Sequence, residues 1–142
     1  MNRPFVFINS AMSADGKISS RDRRQIRISG KEDLMRVDEL RAASDAIMVG
    51  VGTVLADDPG LRVKSRILRE KRKDMGQLKE PFRIVTDSNA RTPANAKILG
   101  PGCMIAVSYS APEERLDRLR SGCEIIKCGT EMVDLPGLME EL

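Results

Sequence analysis

The residues with the most chemical potential in this chain are Gly50-Val51-Gly52-Thr53. They follow the apolar run Ala46–Val49 and lead into Val54-Leu55-Ala56. Glycines directly after a strand let backbone approach a phosphate closely, and a helix that follows points free N–H groups at it. The Thr53 hydroxyl adds a donor. The pattern is neither of the usual nucleotide loops. Leu55 stands where a dinucleotide-binding GxGxxG needs its third glycine, and the Gly-Lys-Ser/Thr ending of a P-loop is missing. A plain strand-to-helix turn accounts for the same residues without any ligand.

Other polar residues are spaced for chemistry. Asp57 and Asp58 could receive a sugar hydroxyl, although Asp-Asp-Pro-Gly is also ordinary turn chemistry. Asp87-Ser88-Asn89 closes an apolar run, where capping and ligand binding compete. Asp15-Gly16-Lys17 brings an acid and an amine beside the expected end of a first strand. Histidine is absent, which excludes Ser-His-Asp and Cys-His nucleophilic catalysis and histidine-ligated zinc. Lys17 and Asp15 are then the natural candidates for proton handling or substrate orientation. Arg41 lies seven residues after Leu34 and shares its helical face, as an edge residue or an inward anion ligand. Arg62 and Lys64 alternate with Leu61 and Val63, so either basic side chain could meet a phosphate. Cys103, Cys123 and Cys128 lack metal-ligand spacing; no metal is expected, and Cys128 reads as a small buried hydrophobe.

These residues must be positioned by a chain of 142 residues, a length typical of one domain. Aromatics make up 3%, with no Trp and one Tyr, so aliphatic residues must fill the core. Stacking platforms for single-stranded nucleic acid are not expected. The net charge of +3 hides an asymmetry. Arg62–Arg83 holds nine basic residues and three acids, a net +6, leaving −3 for the rest. No base-reading motif accompanies that charge, so a solvated segment is expected rather than a nucleic-acid partner. The odd cysteine count and the lack of a signal-like start point to a reducing cytoplasm, and no apolar run is long enough to cross a membrane.

Phe5–Asn9 reads as a buried opening strand. Ser29 and Glu32 match a capping box ahead of a helix over 31–43. Ala46–Val49 predicts a strand covered on both faces, followed by a short helix around Val54–Ala56. A mobile loop is expected around Lys71–Lys79. Strands at Phe82–Thr86, Met104–Val107 and Glu124–Lys127, and helices at about 112–120 and from Leu135, complete an α/β fold with a largely parallel sheet. In such sheets ligands sit beyond the carboxyl ends of the strands. That directs attention to 9–20, 50–58, 87–92, 108–112 and 128–130.

Taken in order, INSAMSADGKIS, Arg27-Ile28-Ser29 before a helix, DAIMVGVGTVLADDPGLRV and RIVTDSNARTP resemble the reductases of riboflavin biosynthesis, most closely the archaeal type. The resemblance spans essentially the whole chain. It implies a dihydrofolate-reductase-like α/β fold, usually a homodimer. It implies NADPH-dependent reduction of the ribosylamino group of a pyrimidinone 5′-phosphate to a ribitylamino group. By motif position, Gly50, Gly52, Thr53, Asp57, Ser88 and Arg27 fall on the cofactor side. Asn9, Gln25, Arg41, Leu61 and Lys64 fall on the substrate side, and Asp15 and Lys17 in the first active-site segment. The resemblance also implies a further strand and a glycine-rich Glu-Gly-Gly-Gly-Thr segment, so residues 1–142 are expected to form one reductase domain lacking that portion.

Overall fold

The computed structural model describes residues 4–22 and 28–142. Its framework is a sheet of four parallel strands in the order β1 (Ala46–Gly50), β2 (Phe82–Thr86), β3 (Cys103–Val107) and β4 (Glu124–Lys127). Parallel pairing forces each connection to cross from one end of the sheet to the other. Helices α1 (Lys31–Ala43), α2 (Val51–Asp57), α3 (Arg66–Asp74), α4 (Glu113–Leu119) and α5 (Leu135–Glu141) accompany the strands.

Alternation along β3 divides the core. Cys103, Ile105 and Val107 face a large cluster with Val51, Val54, Val85, Ile98, Leu116 and Leu119. Ala106 faces a smaller one with Cys128 and Leu138. The strands β2 and β3 are central and well buried, which suits the apolar run of β3; in β2 the buried Arg83 is accommodated by donating to Ile98 O at 3.0 Å and Pro101 O at 2.7 Å. The strand β1 is not covered on both faces as its sequence predicts. It lies at the sheet edge, with its three middle residues half-buried and its ends exposed.

Three other expectations are corrected. Phe5–Asn9 belongs to no strand, and Phe5 and Ile8 are each 91% exposed. An apolar run becomes a strand only where a ladder takes up its backbone, and none of the described strands pairs with it. The capping box does not form. The N-cap of α1 is Gly30 without a side-chain bond, and Ser29 instead bonds the Asp33 carboxylate. The expected loop at 71–79 begins as helix, since α3 runs to Asp74. The Ser65 side chain accepts from Leu68 N at its start, and Lys71, Arg72 and Lys73 complement the dipole at its end. Among the described residues, no helix is long and apolar enough to cross a membrane.

Two turns are fixed by local chemistry. Gly129 follows β4 with φ +80°, and an added Cβ would lie 2.0 Å from the Met132 carbonyl oxygen and 2.7 Å from the Asp134 nitrogen. Asp58 ends α2 in the left-handed region at φ 42°. Its Oδ1 accepts from Lys97 N at 2.8 Å, and Lys97 Nζ lies 3.3 Å from Oδ2. The Lys97 amide first, and then the Lys97 ammonium, hold the Asp58 carboxyl below its ordinary 3.8.

Gly129→Ala combines a strained φ with a backbone clash and should destabilise by more than about 2 kcal/mol, read as a shift in urea midpoint. The depressed Asp58 pKa means that its stabilisation is in place above its unfolded value and is lost as pH falls through the folded value. Asn tolerates the left-handed backbone, so Asp58→Asn isolates the charge. The stability gap between wild type and Asp58→Asn should be full near pH 6 and narrow steadily towards pH 3, as urea unfolding at both values would report.

Candidate active site

Parallel register brings Gly50, Thr86, Val107 and Lys127 to one end of the sheet. The segments that leave these residues knit into a hydrogen-bonded rim. Ser108 N and Oγ both donate to Ser88 O, at 3.1 and 2.7 Å. Tyr109 N donates to Gly129 O, and Ser110 N to Thr130 O. The Ser88 Oγ accepts from Val133 N at 3.0 Å, which fixes the hydroxyl oxygen and leaves its proton to donate elsewhere. Asp87 is buried. Its Oδ2 accepts from Thr92 N and Oγ1, while its Oδ1 has no partner.

Gly50 and Gly52 open α2 beside this rim. Gly50 has φ −77°, an ordinary value for any residue. A Cβ added there would meet Thr86 Oγ1 at 3.8 Å, and one added at Gly52 would meet nothing within 4 Å. The protein's own packing therefore demands glycine at neither position. Thr53 is exposed on the first turn of α2 and Asp57 is half-buried at its end. The neighbouring acids separate by role: Asp58 is committed to Lys97, whereas Asp57 has no hydrogen-bond or ion-pair partner among the described residues. Beyond β2 lies an open cleft of about 350 Å³, lined by residues including Arg91, Thr92, Arg115 and Arg118. Arg115 donates to Asn89 O at 3.1 Å, and Arg118 pairs with Glu114.

The substrate-side candidates gather around α1. Arg36 Nη2 donates to Asn9 Oδ1 at 3.0 Å and Arg36 also pairs with Asp33 at 2.7 Å, tethering the opening segment at Asn9. Ser29, and after it Arg36, holds the Asp33 carboxyl below its ordinary value. Arg41 Nη1 makes a long contact of 3.4 Å to Arg62 O, two residues before Lys64. Val63 is buried while Arg62 and Lys64 are exposed, so the alternation expected along this segment is present. Leu61 packs into the core from a left-handed backbone at φ 49°.

Asp15 and Lys17 sit in an exposed turn of their own. Ser13 Oγ donates to Asp15 Oδ1 at 2.5 Å, Lys17 N donates to Ser13 Oγ at 3.1 Å, and Gly16 takes φ +77°. No hydrogen bond or ion pair among the described residues joins either to the other candidates. Gln25 and Arg27 lie outside the described residues. Burial raises all three cysteine thiols above their ordinary value, Cys123 to about 12, which disfavours the thiolate form.

Sequence reasoning missed Asp38 and Glu80. Asp38 Oδ1 and Oδ2 accept from Lys64 N and Ser65 N, both at 2.7 Å, and Glu80 Oε2 accepts from Val63 N at 2.8 Å. The available signal was Asp38 itself, an acid four residues after Leu34 and three before Arg41 on a shared helical face.

Several relatives align with nearly the whole chain, two of them at about half identity. A 2,5-diamino-6-ribosylamino-4(3H)-pyrimidinone 5′-phosphate reductase from Archaeoglobus fulgidus is 53% identical over 142 residues, covering 99% of this chain and 65% of the relative. Its namesake from Methanothermobacter thermautotrophicus is 47% identical, covering 99% and 62%. The chain thus spans slightly under two thirds of the length of these curated relatives. Among solved structures, a pyrimidine reductase-like protein from Corynebacterium diphtheriae shares the fold with a TM-score of 0.79 at 18% identity, covering 94% of this chain and 58% of that one. RibD from Acinetobacter baumannii matches with a TM-score of 0.69 at 28% identity, covering 94% and 34%. A model of the RibD C-terminal domain matches residues 4–142, and the chain belongs to that family.

Proposed function

We propose that this chain carries out the reduction step of riboflavin biosynthesis, converting the ribosylamino group of a pyrimidinone 5′-phosphate to a ribitylamino group at the expense of NADPH. The observation that carries the substrate side of this reading is the pairing of Arg41 with the Lys64 segment. Arg41 on α1 contacts the backbone two residues before Lys64, and among the described residues neither cation forms an ion pair with a carboxylate. A half-buried Arg41 and an exposed Lys64, neither neutralised by a carboxylate, suit a phosphate monoester.

The residues present fit a dinucleotide. The open space at Gly52 admits a ligand where a side chain would intrude. Thr53, Asp57 and Ser88 offer two hydroxyls and a carboxylate to its phosphates and sugars. The guanidinium groups of Arg91, Arg115 and Arg118 around the adjoining cleft suit a further phosphate of the kind that distinguishes NADPH from NADH. Bound NADPH supplies the hydride. The chain's own task is orientation: the phosphate end is anchored at Arg41 and Lys64, and the reacting carbon is held against the cofactor. Asn9, tethered by Arg36, is a further substrate contact in this reading. Asp15 and Lys17 are the acid and amine offered for proton handling.

The decisive assay is oxidation of NADPH by the full-length chain with the phosphorylated pyrimidinone. Turnover is expected; absence of both turnover and NADPH binding overturns the reading. Gly52→Ala separates ligand space from stability. It should leave the fold as stable or raise stability by up to about 1 kcal/mol, because Ala is the better helix former. It should weaken NADPH binding at least about tenfold by filling the space a phosphate needs, measurable by fluorescence titration beside a urea melt. Arg41→Ala and Lys64→Ala should each raise KM for the phosphorylated substrate by about tenfold to a hundredfold, the range for a lost charge-assisted hydrogen bond.

A further inference from the structure

We infer that Asp38 is a positioning residue for the phosphate end of the site, an inference that rests on reading Arg41 and Lys64 as the phosphate ligands. Of the thirteen residues of α1, only Asp38 and Ala42 are buried. A buried carboxylate is costly unless it is hydrogen-bonded, and here both oxygens are used on successive backbone amides. Oδ1 takes Lys64 N and Oδ2 takes Ser65 N, each at 2.7 Å. Glu80 Oε2 takes the preceding amide, Val63 N, at 2.8 Å. Three consecutive N–H groups of an irregular segment are thus held by two carboxylates, one from α1 and one from the segment leading into β2.

This grip determines where Lys64 starts from. The Asp38 carboxylate is spent on backbone and not on the Lys64 ammonium, which stays available to an anion. Arg41 lies three residues further along α1, on the same face as Asp38. It also contacts the gripped segment directly, at Arg62 O. One helix therefore carries one cation and the anchor of the other, and the separation of the two cations follows from the Asp38 grip. A planar acceptor pair is needed for this. Asn at this position would turn a donor nitrogen towards one of the two amides and release it.

The test compares wild-type, Asp38→Asn and Asp38→Glu full-length proteins on the phosphorylated substrate and on its dephosphorylated counterpart. Asp38→Asn should raise KM for the phosphorylated substrate about tenfold or more, in line with a loosened charge-assisted contact. Its kcat, its KM for NADPH and its KM for the dephosphorylated substrate should stay within about threefold of wild type. Asp38→Glu, which keeps both acceptor oxygens, should recover part of the loss. An unchanged KM for the phosphorylated substrate, or an equal rise for both substrates, overturns the inference. Should Asp38→Asn fail to fold, the Asp38→Glu comparison decides by the same criteria. If the wild type reduces neither substrate, the functional reading fails instead. Ribose 5-phosphate titrated into both proteins by NMR then decides for Asp38: wild type should bind it more tightly than the variant, and equal binding overturns the inference.

Discussion

The helices α1 and α3 complement each other's ends, and the placement of the Lys64 segment between them depends on that exchange. From α1, the Asp38 carboxylate reaches the amide of Ser65, the N-cap of α3. From α3, the buried Arg72 guanidinium reaches the end of α1, where Nη1 donates to Ala42 O at 2.7 Å and Ser44 O at 2.8 Å. Its Nε donates to Leu78 O at 2.8 Å, so the segment leaving α3 is held as well. A negative group at one helix start and a positive group at the other helix end both oppose the local backbone dipole favourably. The dock is polar because α1 has little apolar surface to offer, and Leu34 and Met35 stay largely exposed. Removing either charged group would strand buried carbonyls or amides, which is why a polar dock of this kind holds one geometry.

The other organising constraint is the parallel sheet. It puts the ends of all four strands on one side, and the loops there have little freedom left. Ser88, Ser108, Gly129 and Val133 hold one another through backbone and hydroxyl hydrogen bonds. The proposed cofactor side is therefore a rim anchored on the sheet, while the proposed substrate side is a segment gripped by Asp38 of α1 and by Glu80 ahead of β2. Hydride transfer demands accurate placement of two reactants more than a strong acid. In the proposed reading, a hydrogen-bonded rim and a clamped segment would meet that demand without histidine.

Much of this was legible in the residues. The segments Phe82–Thr86 and Met104–Val107 were readable as strands from their apolar and β-branched residues, although Arg83 interrupts the first and is buried against backbone carbonyls. The Gly50–Thr53 turn marked the start of α2, whereas the apolar face read around Arg41 is absent, since Leu34 is 45% exposed and Asp38 is buried on that face. The failures have physical causes as well. Phe5–Asn9 has the composition of a strand, but strand formation depends on an edge to pair with, which no local pattern records. The helix α3 was hidden by its charge. Its dense basic residues suggested a solvated loop, whereas helix formation rests on the Ser65 cap and on burial of Arg72. Asp38 was passed over because a lone acid on a helix is most often solvated, and only tertiary contact reveals its two amide partners.

The central claim is that the Arg41–Lys64 pair receives the phosphate of a ribosylaminopyrimidine while the α2 side of the rim receives NADPH. A crystal structure of the full-length chain with both ligands tests it most directly. The account predicts phosphate oxygens within about 3 Å of both cations and the nicotinamide facing the sugar carbon that is reduced. A phosphate bound elsewhere, with Arg41 and Lys64 open to solvent, would contradict it.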